Sequence, residues 1–92
     1  MDMNIRTTET TVTFQHPFFL WAFDDKQPAG TYRLVIDEEE IIGLSFLAYQ
    51  RIATMLHTPA LAATGGRHQV FSTDPRELET ALQADARTSG TA

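Results

Sequence analysis

The side chains able to do chemistry in this 92-residue chain are few and scattered. Histidine occurs three times, at His16, His57 and His68. No two of them have the spacing that places a pair of imidazoles on one helical face, so a helical metal motif is excluded. His57 and His68 bracket the stretch TPALAATGG. If the segments on either side pair as antiparallel strands, both imidazoles flank the base of one loop. A carboxylate beside them would then complete a three-donor metal site. A metal needs three or four convergent ligands, and only two are arguable here. The expectation is therefore two half-exposed histidines at strand ends, with no metal and no cofactor.

The carboxylates point the same way. Asp37-Glu38-Glu39-Glu40 lacks the spacing and central glycine of a calcium loop and reads as a solvated acidic turn. Asp24-Asp25 lies beside an aromatic run that would desolvate one carboxyl and raise its pKa. The following Lys26, Pro28 and Gly30 mark an exposed turn rather than a catalytic pocket. Gly43-Leu44-Ser45 begins like a nucleophile elbow, but Leu47 stands where the closing glycine belongs. Gly65-Gly66 is followed by Arg67-His68, not by the lysine and hydroxyl of a phosphate-binding loop. Cysteine is absent, which removes disulfides, thiolate metal sites and thiol nucleophiles together. No catalytic residue emerges, and the chain leans away from being an enzyme.

Binding chemistry is better represented. Arg33 and Arg51, with Tyr49, are candidate anchors for a small ligand held in an aromatic pocket. The competing reading pairs each arginine with one of the twelve acidic residues across a sheet. The run FFLWAF, 18–23, is apolar on both faces of an extended chain. One face, Phe19, Trp21 and Phe23, is the candidate interface for a protein partner or a second copy.

Composition limits the partners. Net charge is −5 and the seven basic residues are dispersed, so nucleic acid and anionic membrane surfaces are disfavoured. The longest apolar run is six residues, far short of a membrane span. The opening MDMNIRTTETT has no apolar stretch of the secretory kind, and the expected location is cytoplasmic.

The elements that must position these residues follow from periodicity. Residues 1–8 are polar and patternless and read as a flexible arm. The alternation in TTVTFQ predicts a strand over 10–15. Pro17 bends the chain, and a strand over 18–23 is expected to form a hairpin with TYRLVID, 31–37, through the turn residues of DDKQPAG. Periodicity alone leaves 44–57 open between helix and strand; strand is the reading taken for 49–57. RHQVFS, 67–72, reads as a last short strand. Asp74, Pro75 and Glu77 form an N-cap and capping-box pattern ahead of an apolar stripe at Leu78, Ala81 and Leu82, predicting a helix over 75–86. Residues 87–92 read as a flexible tail.

The order VTFQHPFFL, PAGTYRLVIDEEEIIGLSF and AYQRIATML resembles a family of short uncharacterised bacterial proteins. That family carries HPF, PAG-x-Y and GLSF-x-AY segments, then a short strand and a C-terminal helix. The resemblance spans residues 10–86. It implies a compact bacterial domain of unknown function, with no catalytic or binding residue attached to it.

The expected fold is one α+β domain over 9–86. A curved, mainly antiparallel sheet of four or five strands, barrel-like at its most curved, packs against one C-terminal amphipathic helix. The expected core is Val12, Phe14, Phe18, Leu20, Tyr32, Leu34, Ile36, Ile42, Phe46, Ile52, Leu56, Val70, Leu78 and Leu82. The expected function is a non-enzymatic interaction or self-associating module using Phe19, Trp21 and Phe23. The alternative is a small-ligand binder anchored by Arg33 and Arg51.

Overall fold

The computed structural model describes residues 4–23, 25–41, 48–63 and 65–90 of the chain. Asp24, residues 43–45, and the expected core residues Ile42 and Phe46 lie outside the described residues. Four strands are present: β1 (Ile5–Phe14), β2 (Gly30–Glu40), β3 (Tyr49–Thr58) and β4 (Gln69–Ser72). They form one antiparallel sheet in the order β1-β2-β3-β4, and the helix α1 (Pro75–Gly90) follows. The α+β expectation holds with four strands. The sheet is open, with β1 and β4 as its edges, and is not closed into a barrel.

β1 begins at Ile5, so residues 5–8 are strand rather than arm. Their apolar pattern is absent because polar cross-strand pairs hold them instead. Ile5 lies opposite Glu39, Arg6 opposite Glu38 and Thr7 opposite Asp37. The Arg6 guanidinium meets Glu38 at 2.8 Å, and the Thr7 hydroxyl donates to Asp37 at 2.6 Å. At the other end of the chain, α1 runs on to Gly90, so residues 87–90 are helical rather than tail.

The expected hairpin between 18–23 and 31–37 does not form. β1 occupies the whole length of β2 that 18–23 would have paired with. Residues 15–23 and 25–29 instead make a strap over one face of the sheet, touching strand geometry, among the described residues, only at the isolated Phe18–Gln27 bridge. The Phe23 amide donates to the Leu20 carbonyl at 2.9 Å, closing a turn that puts Phe18, Leu20 and Phe23 on the buried side.

Those three side chains build the core with Phe14, Tyr32, Leu34, Leu56, Ala60 and Leu78. Phe14 and Phe18 stack with ring centroids 3.6 Å apart. Phe18 stands edge-on to Tyr32 at 5.2 Å, and Phe23 edge-on to Phe71 at 4.9 Å. The Tyr32 hydroxyl, carried into this apolar setting, donates to the Pro28 carbonyl at 2.5 Å, and burial raises its pKa. Each fully buried side chain of this size contributes about 1.5–3 kcal/mol. Val12, Ile36 and Leu82 pack against the cluster from its margin.

Two expected core residues lie outside it. Val70 is 50% exposed because the β3–β4 register places Leu56 beside Phe71, so Phe71 takes the inner face and Val70 the outer one. Ile52 is 46% exposed. The β2–β3 register steps from Asp37–Ala53 to Glu38–Arg51, leaving Ile52 as the extra residue of a bulge.

α1 starts as its sequence predicts, with the Asp74 carboxylate accepting from the Arg76 amide at 2.8 Å. Glu77 does not fold back to close the capping box. Its carboxylate accepts from the Trp21 amide at 2.8 Å, tying the strap to the first turn of the helix.

Candidate functional site

Three side chains with binding chemistry meet at one end of the sheet face that, among the described residues, neither the strap nor α1 covers. Tyr32 and Leu34 are buried, so strand alternation turns Arg33 outward. Register places Arg33 opposite His57, and His57 opposite Val70. His68, two residues before Val70, comes to the same face. With Thr58, Pro59, Ala60 and Leu61 they line an open cleft of about 200 Å³. Leu61 is held there by its amide, which donates to the Thr31 carbonyl at 2.8 Å.

Antiparallel pairing of 49–58 with 69–72 thus brings His57 and His68 together, at the base of one loop. His57 Nδ1 and His68 Nε2 lie 3.0 Å apart and the ring centroids 5.2 Å apart. These two distances set the nitrogens nearly head-on, along the line joining the rings. That is the geometry of an N–H···N hydrogen bond, with one ring donating and the other accepting. A chelated cation needs both lone pairs to converge on a third point instead. Among the described residues no group of three metal-ligating side chains is present.

Arg33 brings the fixed positive charge to the cleft. Arg33 Nε reaches Glu9 at 3.2 Å, an ion pair with both partners about half exposed. The pKa of His57 lies below the ordinary imidazole value. Desolvation is the first cause, followed by the positive charges of Arg33 and His68, against a smaller opposing pull from Glu9. These causes favour the uncharged form of the His57 ring.

Tyr49 and Arg51 do not join Arg33. Arg33 pairs with His57, whereas Arg51 pairs with Glu38, five residues further along β2. At about 3.4 Å per residue the separation is about 17 Å, and the two arginines face opposite sides of the sheet. Tyr49 is already covered: the Arg6 guanidinium reaches across β2 and sits 3.9 Å from its ring centroid. One pocket holding all three anchors is not what the fold builds.

The aromatic face also divides. Phe23 is 4% exposed and belongs to the core, while Phe19 is 50% exposed and Trp21 is 88% exposed. Because 18–23 is a strap with a turn, every second residue no longer shares a side. Trp21 borders a depression of about 380 Å³ formed with Thr73, Asp74 and Glu77 at the start of α1. Phe19 borders a second one, of about 240 Å³, formed with Ala81, Ala84 and Asp85 further along the helix.

Asp85 is a residue that sequence reasoning missed. Its carboxylate accepts from the Gln15 amide at 2.8 Å and the His16 amide at 2.9 Å, and meets His16 Nδ1 at 2.9 Å. These bonds hold its pKa below the ordinary aspartate value, the Gln15 amide contributing most. The signal was present: Asp85 falls at i+7 of the stripe begun by Leu78, a carboxylate where the period asks for an apolar residue. With Glu77 it fastens the strap to α1 at two points, leaving Phe19 and Trp21 on its outer side.

Among the described residues no helix is long and apolar enough to cross a membrane. Comparison with known proteins returns no matching family model, no matching curated protein and no matching solved structure.

Proposed function

We propose that this protein is an interaction module that associates with a second copy of itself through the outer side of the 15–29 strap. The observation carrying this reading is Trp21. Its indole is 88% exposed, while its own amide is held by Glu77. A large apolar side chain displayed on an anchored backbone loses little conformational entropy when it is covered, and tryptophan is among the residues enriched at the centre of interfaces. Phe19 extends the patch, and the depressions beside both residues offer shape for a partner side chain to fill. Phe23 takes no part.

The test is a dilution series followed by light scattering and by the emission of Trp21, the only tryptophan. A red shift that tracks dissociation supports the reading, and Trp21→Ala then leaves a monomer at every concentration. An emission maximum that stays constant in a particle of monomer mass removes it.

A second reading rests on β1. Among the described residues no strand pairs with its outer edge, where alternate residues of this ten-residue strand turn their backbone groups outward, without proline, lysine or a bulge to guard them. Arg6 and Glu9 cancel, so two β1 strands approach each other without the repulsion that a net charge of −5 would suggest. Pairing there would extend the sheet across both copies. Thr8→Lys with Thr11→Lys dissociates such a dimer and leaves a Trp21-mediated one intact.

A further inference from the structure

We infer that the Arg33–His57–His68 cleft is a binding site for an oxyanion of the phosphate class, taken up together with protons. The ligand is a terminal phosphoryl or sulfate-like group, because the cleft is open and about 200 Å³ in volume, with room for the group but not for the rest of a larger molecule. The inference stands apart from the proposed self-association, since the cleft lies on the outer sheet face and the strap covers the inner one.

The donors come from three neighbouring elements. Arg33 on β2 spends its Nε on Glu9; among the described residues no carboxylate meets its terminal nitrogens, which can form the forked contact that guanidinium makes with an oxyanion. His57 is the penultimate residue of β3, and His68 immediately precedes β4. Arg67, exposed beside His68 in sequence, adds positive potential. The cleft lining contains no carboxylate. Glu9 on β1 is the acidic group facing this cluster, and it works against an anion.

The histidine pair supplies the proton linkage. As it stands, one N–H···N bond joins the rings, and that bond requires an unprotonated acceptor nitrogen. A second proton destroys it and sets two positive charges face to face. An oxyanion that parts the two rings reverses the balance: the nitrogens, 3.0 Å apart without it, swing away from each other, one N–H···N bond gives way to two N–H···O bonds, and the repulsion is cancelled. No covalent bond forms or breaks; the protons come from solvent. Binding therefore raises the affinity of the rings for protons, and affinity rises as the pH falls through the imidazole range.

Calorimetric titration with sulfate tests this, since sulfate remains a dianion across the range and only the protein titrates. The expected result is binding at about pH 5.5 that weakens about tenfold or more by about pH 8. Proton uptake is read from buffers of different ionisation enthalpy, and inorganic phosphate competes at the same site. Arg33→Gln lowers affinity about 10–100-fold. His57→Gln and His68→Gln each flatten the pH profile, whereas Glu9→Gln tightens binding at every pH. All four side chains lie on the uncovered face, and an unchanged melting temperature establishes that each variant is folded. No heat of binding from millimolar sulfate at either pH overturns the inference, as does an affinity that Arg33→Gln leaves unaltered. Binding with the same affinity at both pH values overturns the linkage to the histidine pair.

Discussion

The two ends of the sheet are held together by different physics. At one end Phe14, Tyr32 and Leu56 lie beneath the strap and α1, and aromatic rings meet in stacked and edge-on pairs. At the other, Ile5, Ile41 and Ile52 are exposed, and the strands are joined by their backbone ladder and by polar pairs. Arg6 meets Glu38, Thr7 meets Asp37, and Asn4 meets Glu40. The molecule is correspondingly long, 48 × 33 × 21 Å, with a radius of gyration of 15.6 Å. A compact domain of this length has a radius of about 12 Å. Cooperative stability is thus concentrated at the strap end, and the ribbon end rides on it.

The sharpest way to break this contrast is to cut into each end and compare the losses. Phe14→Ala removes a fully buried ring and its stacking partner for Phe18. It costs about 3–5 kcal/mol, read from the urea midpoint, a large share of the about 5–15 kcal/mol that holds a domain folded. Gly30→Ala comes next. Gly30 has φ of 153°, and a β-carbon there would sit 2.9 Å from the Ala60 β-carbon. Strain and overlap together cost about 1–3 kcal/mol, and the melting temperature falls accordingly. A loss at either position no greater than that of a surface change would mean that the strap end is not where stability resides.

Asp85→Asn probes the fastening rather than the filling. The folded carboxyl titrates below the ordinary aspartate value, so it contributes stability above about pH 4. That contribution is lost as the pH falls through the lower folded value. The variant is expected to melt lower than the parent at neutral pH, with the difference closing in acid. Thermal melts from about pH 2 to pH 7 check both the sign and the window. An acid limb of the same shape in parent and variant would place the loss of stability on other carboxylates.

These residues also mark what the chain disclosed by its pattern. Period-two alternation identified the strand at Tyr32, Leu34 and Ile36, and the cap and stripe identified α1, because both signals are local. The register-dependent features were out of reach. Whether Val70 or Phe71 faces inward depends on which residue meets Leu56, and Ile52 is expelled by a bulge set between two strands. FFLWAF misled for a related reason. It carries strand composition, but β1 supplies a longer partner for β2, and the run serves as a strap whose buried positions follow a turn. In the cleft, the meeting of His57 and His68 was legible once strand pairing was assumed. Arg33 joining them was not, since that needs the β2–β3 register. Glu77 and Asp85 were hidden as ordinary helix carboxylates, although Asp85 interrupts the apolar stripe.

At the ribbon end the expected effects are small, and that smallness is the test. Glu38→Gln removes the charge that Arg6 meets at 2.8 Å, with the Arg6 side chain about half exposed. Such a pair is worth about 0–1 kcal/mol and is screened by salt. The urea midpoint should therefore shift little, and the shift should vanish at high ionic strength. The local consequence is larger than the global one. Without that pair the amides near Arg6 and Glu38 keep their ladder but lose the side-chain contact that holds the ribbon. They should exchange with solvent faster, while amides near Tyr32 and Leu56 remain protected to the level of global unfolding. Equal acceleration at both ends would show that the sheet opens as one unit. Acceleration confined to the ribbon would show that it opens alone, leaving the strap and the Arg33–His57–His68 cleft in place.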